Sequence, residues 1–208
     1  TVTKYLSKYG LDRWKIESSS RDKFNNIVVI PAIHEYSNIR KLLISLTQND
    51  DKYFKETLVL FVVNNLENSG RDVKEDNGKT LSFLREIITG TDKSELAEII
   101  INSGLNAGLV DASGAGLELP EKEGGVGLAR KIGLDLALQH FDYSGDSKKI
   151  LICLDADCTV ENNYITSIVK EFRKENLHAA YVNYEHPIPE TEKDRLAIIC
   201  YEIFLRYY

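Results

Sequence analysis

Two carboxylates separated by one residue, Asp155 and Asp157, follow a short apolar run in the stretch KKILICLDADCTVE. Carboxylate oxygens at this spacing can approach one divalent cation, or one can bind the cation while the other accepts hydrogen bonds from a sugar. The preceding residues 150–154 predict a buried strand that is covered by helices on both faces. The alternative is that both Asp residues only end the strand and cap the next helix.

A glycine-rich run, GGVG at residues 124–127, leads into the basic pair Arg130 and Lys131. Glycine lets a ligand approach the backbone closely, and a helix that begins here would present free N–H groups, above all near Gly127. Two cations in the first turns conflict with the helix dipole, and a bound anion such as a diphosphate would relieve that conflict. The alternative is a flexible loop with solvated charges.

Polar residues also follow the first two predicted strands, in the stretches VVIPAIHE and LFVVNN. The first stretch forms a polar turn that could grip a base or a ribose. The second ends in two amides that can donate and accept hydrogen bonds, as the edge of a pyrimidine requires. Each could equally be a helix start or an ordinary turn. These candidate residues are Pro31, Ala32, His34, Glu35, Asn64 and Asn65.

The elements that must position these residues alternate between strands and helices. The predicted strands cover residues 27–30, 57–63, 96–101, 150–154 and 179–184. The predicted helices cover residues 36–48, 80–88, 126–141, 161–174 and 191–208. Such alternation predicts an α/β fold with a mostly parallel open sheet and helices on both faces. Because open sheets of this kind bind ligands at their carboxyl edge, the polar groups are expected to converge there.

The remaining segments lack a clear periodic pattern. Residues 1–26 are predicted to be an N-terminal extension packed on the surface of a single domain, residues 27–208. Residues 67–79 carry Ser-Gly and Asn-Gly turn signals and predict a long exposed loop. The stretch 102–127 predicts no regular structure, and its long glycine-rich loop could close over a ligand as a lid.

Composition narrows the class of protein. Of the 208 residues, 43% are hydrophobic and 28% are charged, which is typical of a soluble globular domain. A net charge of −6 argues against a nucleic-acid partner, which would need a basic face. The odd count of three cysteines favours a reducing compartment, and hence the cytoplasm, over a disulfide framework. A zinc site is not expected from their spacing, and no apolar run reaches membrane-spanning length.

In order and spacing, these motifs resemble the GT-A-fold glycosyltransferases, in particular family 2. The matching stretches are VVIPAIHE, LFVVNN, GLNAG with GGVGLARKIG, and ILICLDADCTVENNYI. The resemblance implies a Rossmann-type, GT-A-like sheet, a UDP- or GDP-linked sugar donor, and a divalent metal, Mn²⁺ or Mg²⁺, held at Asp157 with Asp155 near the metal or the ribose. The donor-binding residues that it implies are Pro31, Ala32, His34, Glu35, Asn64, Asn65, Gly127, Arg130, Lys131 and Asp155.

The resemblance also implies transfer with inversion to an acceptor, such as a saccharide or a lipid-linked glycan, at the inner face of a membrane. The carboxylate base is then expected beyond Tyr208, and the uncovered apolar stripe of the last predicted helix predicts that the domain continues there. Three positions depart from the family pattern: His34 replaces Asn, Asn64-Asn65 replaces an acidic turn, and Lys131 replaces Asn. The base and the sugar therefore stay open.

Other functions share parts of the pattern. Asp155, Asp157 and Thr159 also fit the haloacid-dehalogenase-type phosphatases, in which the first Asp is the nucleophile, although that motif normally opens its domain. A sugar-phosphate nucleotidyltransferase would need a glycine-rich, Arg-containing loop after the first strand, and VVIPAIHE supplies none. The third possibility is an α/β domain without catalysis that binds a nucleotide, or no ligand, and serves as a scaffold for partners.

Overall fold

Five strands form one mixed sheet in a computed structural model that describes residues 2–18, 23–175 and 177–207. The strands are β1 (Ile16–Ser18), β2 (Asn26–Ala32), β3 (Thr57–Asn64), β4 (Asn106–Ala112) and β5 (Ile150–Cys153). Their order across the sheet is β1-β4-β3-β2-β5; β1 is antiparallel to β4, and the other neighbours are parallel. The prediction of an α/β fold with a mostly parallel sheet is confirmed.

Helices within residues 36–174 cover both faces of this sheet. The helices of the described chain are α1 (Val2–Tyr9), α2 (Tyr36–Thr47), α3 (Arg71–Thr89), α4 (Glu95–Asn102), α5 (Val126–His140), α6 (Tyr164–Lys174) and α7 (Glu192–Tyr207), with a 3-10 turn at Asp51–Glu56. Because side chains alternate along a strand, Val28 and Ile30 pack with α2, α3, α4 and α6, whereas Ile27 and Val29 pack with α5. Both sets are fully buried, which fixes the orientation of β2 between β3 and β5 in the sheet.

The chain divides into two compact units, residues 1–176 and 177–208. In the second unit, the carboxylate of Glu202 on α7 binds both the backbone N–H and the ring Nδ1 of His186, at 2.8 and 2.6 Å. These hydrogen bonds lower the pKa of Glu202. Residues 179–184, predicted to be a strand, form no strand in this unit, and Tyr181 is 93% exposed. Across the described ranges, no helix has both the length and the apolar character needed to cross a bilayer.

Helix α3 replaces most of the exposed loop predicted for residues 67–79. It begins after Gly70, runs for 19 residues and contains the Asn77-Gly78 pair that signalled a turn. Gly78 faces solvent, so its low helix propensity costs about 1 kcal/mol, which the buried face of the helix offsets. That buried face includes Leu81, Leu84 and Asn77 itself.

Helix α4 replaces the strand predicted over residues 96–101. Ser94 caps the helix by accepting a hydrogen bond from the backbone N–H of Ala97, and Glu95 and Glu98 lie in the first turn, where acidic residues stabilise a helix. The apolar run buries Ala97 and Ile100, which are three residues apart. The composition of this apolar run is compatible with either a strand or a helix, and the cap at Ser94 favours the helix.

The glycine-rich stretch predicted to lack regular structure contains β4, and the loop after it is anchored. Trp14 is buried and its indole N–H donates to the Leu117 carbonyl at 2.8 Å. Leu119 pairs with the end of β3, where its N–H donates to the Asn65 carbonyl at 2.9 Å. The loop is therefore held on two sides in this structure, and its closure over a ligand stays a prediction.

The N-terminal segment contributes to the sheet. Strand β1 lies antiparallel to β4, and Arg85 of α3 joins the two strands through Glu17 at 2.7 Å and Asp111 at 3.0 Å. These carboxylates raise the pKa of the Arg85 guanidinium. Residues 1–26, predicted to be a surface extension, thus include an edge strand and the buried Trp14.

Strand β5 forms the other edge of the sheet. Ile150 and Ile152 are buried, whereas Leu151 and Cys153 are exposed. The predicted burial on both faces is therefore wrong. The reason lies in the sheet order, because β5 has a neighbour on one side only and α5 lies mainly over β2 and β3.

Candidate functional site

The order in which the chain adds strands to the sheet reverses direction between β2 and β5. After β2 the chain continues to β3 and β4 on one side of β2, and it then returns to form β5 on the other side. Open α/β sheets bind ligands outside the carboxyl ends of their strands at such a switch point. His34 follows β2, and Asp155 and Asp157 follow β5, so the sheet brings these segments to one edge.

An ion pair joins α5 to the end of β5. The Nη2 atom of Arg130 lies 2.6 Å from Oδ1 of Asp155, and the Asp155 side chain is 60% exposed. The Nε atom of Arg130 is buried and has no hydrogen-bond partner among the described residues. The guanidinium is therefore fixed beside the switch point with unused hydrogen-bonding capacity.

Three glycines around the start of α5 have different roles. A Cβ on Gly124 would lie 2.2 Å from a Leu66 methyl carbon, so this glycine permits close packing. Gly125 has a φ of 130°, a conformation available essentially to glycine alone. Gly127 is exposed and a Cβ there would meet nothing within 4 Å. Since the first N–H groups of a helix lack partners within the helix, the open turn around Gly127 can receive an anion.

His34 stands in a strained turn directly after β2. Its φ of 60° is the only positive value at a non-glycine residue in the described part of the chain. Its backbone N–H donates to Oδ1 of Asn77 at 3.0 Å, while the side chain is exposed. Strained non-glycine residues persist only where surrounding structure holds them, and they concentrate at functional sites. His34 is the exposed imidazole nearest in sequence to the end of β2.

The other predicted residues of this turn have local roles. Pro31 and Ala32 are buried within β2. Glu35 precedes α2, and its carboxylate accepts a hydrogen bond from Nδ2 of Asn38 at 2.7 Å. Of the predicted turn residues, His34 is therefore the one whose side chain is exposed at the sheet edge.

The two side-chain amides at the end of β3 are buried and form hydrogen bonds within the chain. Nδ2 of Asn64 donates to the carbonyls of Ala32 and Val62 at 3.0 and 3.2 Å. Nδ2 of Asn65 donates to the Leu66 carbonyl at 3.0 Å, and its Oδ1 accepts from Asn77. In this structure the amides hold the strand ends together through hydrogen bonds within the chain.

Lys131 points to a different surface from Arg130. Its ammonium group contacts the buried carboxylate of Asp135 and donates to the Tyr9 carbonyl at 2.8 Å. The hydroxyl of Tyr5 donates to the same carboxylate at 3.0 Å, and this hydrogen bond raises the pKa of Tyr5. Lys131 therefore fastens α1 to α5, and the structure does not bring it together with Asp155.

The acidic pair can supply part of a cation site. Asp155 and Asp157 are both exposed, and no cluster of three potential metal ligands occurs among the described residues. Mg²⁺ is commonly bound through one or two carboxylates together with substrate phosphates and water. The donor set fits a cation completed by a bound diphosphate, provided that Asp155 is released from Arg130.

Sequence reasoning missed Asn77, which is 2% exposed and bonded to the ends of both β2 and β3. The available signal was helical spacing, because Asn77 lies four residues from Val73 and from Leu81 on one face of α3. The Asn-Gly pair masked that signal by indicating a turn.

Two side chains near the acidic pair also have shifted pKa values. Burial, followed by the carboxylates of Asp157 and Asp155, raises the pKa of the Cys158 thiol. Burial and two nearby cysteines, Cys158 and Cys153, raise the pKa of Tyr164 to about 12. The surroundings of the acidic pair thus disfavour further negative charge.

Asp157→Asn is expected to raise the alkylation rate of Cys158 severalfold at about pH 7.5, because removing a carboxylate increases the thiolate fraction that reacts. The measurement is iodoacetamide labelling followed by mass spectrometry, in a background where Cys153 and Cys200 are replaced by serine. Asp146→Asn removes the same charge at the opposite end of β5 and should leave the rate unchanged. An unchanged or slower rate in Asp157→Asn would contradict the local charge effect.

Two open hollows lie elsewhere on the described surface. One, of about 590 Å³, lies among α2, α3 and the start of α4, where Arg40 stacks over Tyr36 and Phe83. The other, of about 470 Å³, lies beside Lys148 and Arg173. Neither is lined by residues of the switch point, so neither coincides with the candidate site.

Comparisons of the chain with protein-family models, curated proteins and solved structures found no match. What bears on function is therefore the sheet order, the Arg130–Asp155 pair and the chemistry of the residues around them.

Proposed function

We propose that this chain binds a nucleotide-diphosphate sugar and acts as the donor-binding part of a metal-assisted glycosyltransferase with a GT-A-like sheet. The observation that carries the proposal is the contact between Arg130 of α5 and Asp155 after β5, at the switch point of the sheet. This contact joins the Arg130 guanidinium, near the start of α5, to the acidic pair after β5. Groups of these kinds can bind a sugar-linked diphosphate together with a divalent metal ion.

The diphosphate would lie at the start of α5. The free N–H groups of the first turn and the positive end of the helix dipole attract an anion. The planar guanidinium of Arg130 can bind phosphate oxygens through two parallel hydrogen bonds. Gly127 adds no side chain to the first turn, and the space that its Cβ would occupy is open.

Asp157 and Asp155 would hold Mn²⁺ or Mg²⁺. When bound, such a cation would stabilise the negative charge that grows on the leaving diphosphate. In the chain itself, Arg130 would move its hydrogen bonds from Asp155 to the diphosphate. Asp155 is exposed enough to turn toward the cation once that pairing is given up.

The nucleoside would lie toward β2, with the exposed imidazole of His34 beside the base or ribose. The buried amides of Asn64 and Asn65 would support this side indirectly, by fixing the ends of β2 and β3. The acceptor, a saccharide or a lipid-linked glycan, and a cytoplasmic location at a membrane face complete the proposal. Inverting transfer also requires a carboxylate base to deprotonate the acceptor.

Titration calorimetry with UDP and GDP, with and without Mn²⁺, tests the proposal. We expect one of the two nucleotides to bind in a Mn²⁺-dependent manner, and Asp157→Ala to weaken that binding at least about tenfold through loss of a charged ligand. Asp146→Ala, which removes an exposed carboxylate at the other end of β5, is the matched control. Circular dichroism verifies that each variant is folded.

The same preparations separate the competing functions. Hydrolysis of p-nitrophenyl phosphate that disappears in Asp155→Asn would support a phosphatase in which Asp155 is the nucleophile. Folded protein that neither binds nucleotide nor hydrolyses the phosphoester would leave the scaffold function. Either result would overturn the glycosyltransferase proposal.

A further inference from the structure

Asn77 has a buried side chain behind the candidate site, and both its amide oxygen and its amide nitrogen form hydrogen bonds. It lies in α3 and is 2% exposed. Its Oδ1 accepts from the backbone N–H of His34 at 3.0 Å. Its Nδ2 donates to the Asn64 carbonyl at 2.9 Å and to Oδ1 of Asn65 at 3.1 Å. One side chain thus connects the ends of β2 and β3.

The turn that Asn77 contacts is unfavourable by itself. His34 has a φ of 60°, a backbone conformation that is unfavourable for any residue with a Cβ. Glycine would adopt this conformation without that cost. The preceding residue of α3, Asp76, accepts a hydrogen bond from the backbone N–H of Tyr36 at 3.1 Å, so α3 holds the turn at two points. Hydrogen bonds to α3 therefore oppose the strain.

We propose that Asn77 is a positioning residue that holds His34 in its left-handed conformation and thereby aims the imidazole at the bound nucleoside. Asn77 holds the turn through hydrogen bonds that the structure shows, whereas its effect on the nucleoside rests on the proposed function. Unfolding measures the hold on the turn and calorimetry measures the effect on the nucleoside, so failure of one is distinguishable from failure of the other.

The chemistry of the amide explains why asparagine suits this position. Its three contacts require one acceptor and two donors, which a neutral side-chain amide supplies. Aspartate keeps an acceptor for the His34 N–H but offers no donor to Asn64 or Asn65. Alanine leaves the His34 N–H and the buried groups of Asn64 and Asn65 without Asn77, and unpaired buried polar groups are costly.

The first experiment compares glycine with alanine at position 34 by thermal unfolding. His34→Gly and His34→Ala both remove the imidazole, but only alanine keeps the Cβ that makes the turn strained. With Asn77 present, the glycine variant is expected to unfold about 3 °C higher than the alanine variant. With Asn77→Ala, the turn relaxes and that difference should vanish or reverse.

Asn77→Asp keeps the experiment decisive if Asn77→Ala folds poorly. Since aspartate retains the acceptor for the His34 N–H, the difference between glycine and alanine at position 34 should persist in this background, although overall Tm falls. A difference that is equal in the parent, Asn77→Asp and Asn77→Ala backgrounds would overturn the proposal, because the turn would then be held by other groups.

The second experiment measures nucleoside recognition by calorimetry with Mn²⁺ present, using whichever of UDP and GDP binds the unmodified protein. Asn77→Ala is expected to weaken binding of that nucleotide about three- to tenfold, as loss of one hydrogen bond would, while leaving pyrophosphate binding unchanged. In a His34→Ala background the same change should have no further effect. Equal nucleotide affinity with and without Asn77, or equal loss for nucleotide and pyrophosphate, would overturn the positioning role.

Discussion

Arg130→Ala is expected to weaken binding of a nucleoside diphosphate in the presence of Mn²⁺ at least about tenfold. Hydrogen bonds to charged groups contribute about 1.5–3 kcal/mol each, and about 1.4 kcal/mol corresponds to a factor of ten. The guanidinium is already fixed beside the start of α5 and the end of β5, so its alignment is prepared before the ligand arrives. Calorimetric titration of UDP and GDP into folded variant and parent measures the effect.

Lys131→Ala is the matched control for Arg130→Ala. The two residues are adjacent in α5 and carry the same charge, but Lys131 is bound to Asp135 and to the Tyr9 carbonyl. Its removal should leave nucleotide affinity within about twofold and should lower Tm, because the buried Asp135 carboxylate loses its cationic partner and keeps only the Tyr5 hydroxyl. Equal losses of affinity in both variants would indicate general attraction by positive charge and not a site at Arg130.

Arg130→Ala should have the opposite effect on the cation when no nucleotide is present. Removing the guanidinium frees Asp155 to join Asp157, so Mn²⁺ affinity measured by electron paramagnetic resonance is expected to rise. A fall in Mn²⁺ affinity would show that Arg130 supports the structure of the β5 end, and would contradict a role as the group that exchanges between Asp155 and phosphate.

Gly133→Val is expected to destabilise the protein by about 3 kcal/mol, which corresponds to a fall in Tm of about 6–12 °C. A Cβ at Gly133 would lie 2.3 Å from Cγ1 of Val29 and 2.9 Å from Cγ2 of Val62, and both partners are fully buried in the sheet. Helix α5 therefore lies directly on β2 and β3 and would have to move away. Thermal or urea unfolding measures the change.

Gly127→Ala on the same helix is the control for Gly133→Val. An added Cβ there meets nothing within 4 Å, and alanine favours the helix over glycine by about 1 kcal/mol, so stability should stay equal or rise slightly. Since α5 carries Arg130, its displacement in Gly133→Val should also separate the guanidinium from Asp155 and reduce nucleotide binding. A Tm equal to that of the parent would mean that α5 adjusts without cost.

Elements with strong local patterns could be predicted from the sequence. Strands β2 and β3 are runs of β-branched and aromatic residues, and α2 and α6 repeat apolar residues at helical spacing. Their existence and type agree with the structure, with ends displaced by up to three residues. Such patterns are local because each residue's tendency to be buried depends mainly on its own side chain.

The predictions for three elements were wrong because packing in the folded chain overrode the local signal in the sequence. In α3 an Asn-Gly pair indicated a turn, yet the helix continues because Asn77 finds buried partners. In α4 an isoleucine-rich run resembled a strand, but the cap at Ser94 begins a helix. In β4 glycine suggested irregular structure, although Gly108 lies within a paired strand, where a Cβ would contact Leu58 and Leu60 at 3.2 Å.

By itself, the sequence determined which polar residues follow β2, β3 and β5, and that parallel strands would carry them to one edge. Only the tertiary structure decided how their side chains are used: Arg130 pairs with Asp155, Lys131 turns to Asp135, and Asn64 and Asn65 are buried. The physical reason is that the alternation of apolar strands and helices along the chain favours parallel strands, whose carboxyl ends lie at one edge of the sheet. The partner of a polar side chain depends instead on which groups the packed helices bring within hydrogen-bond distance.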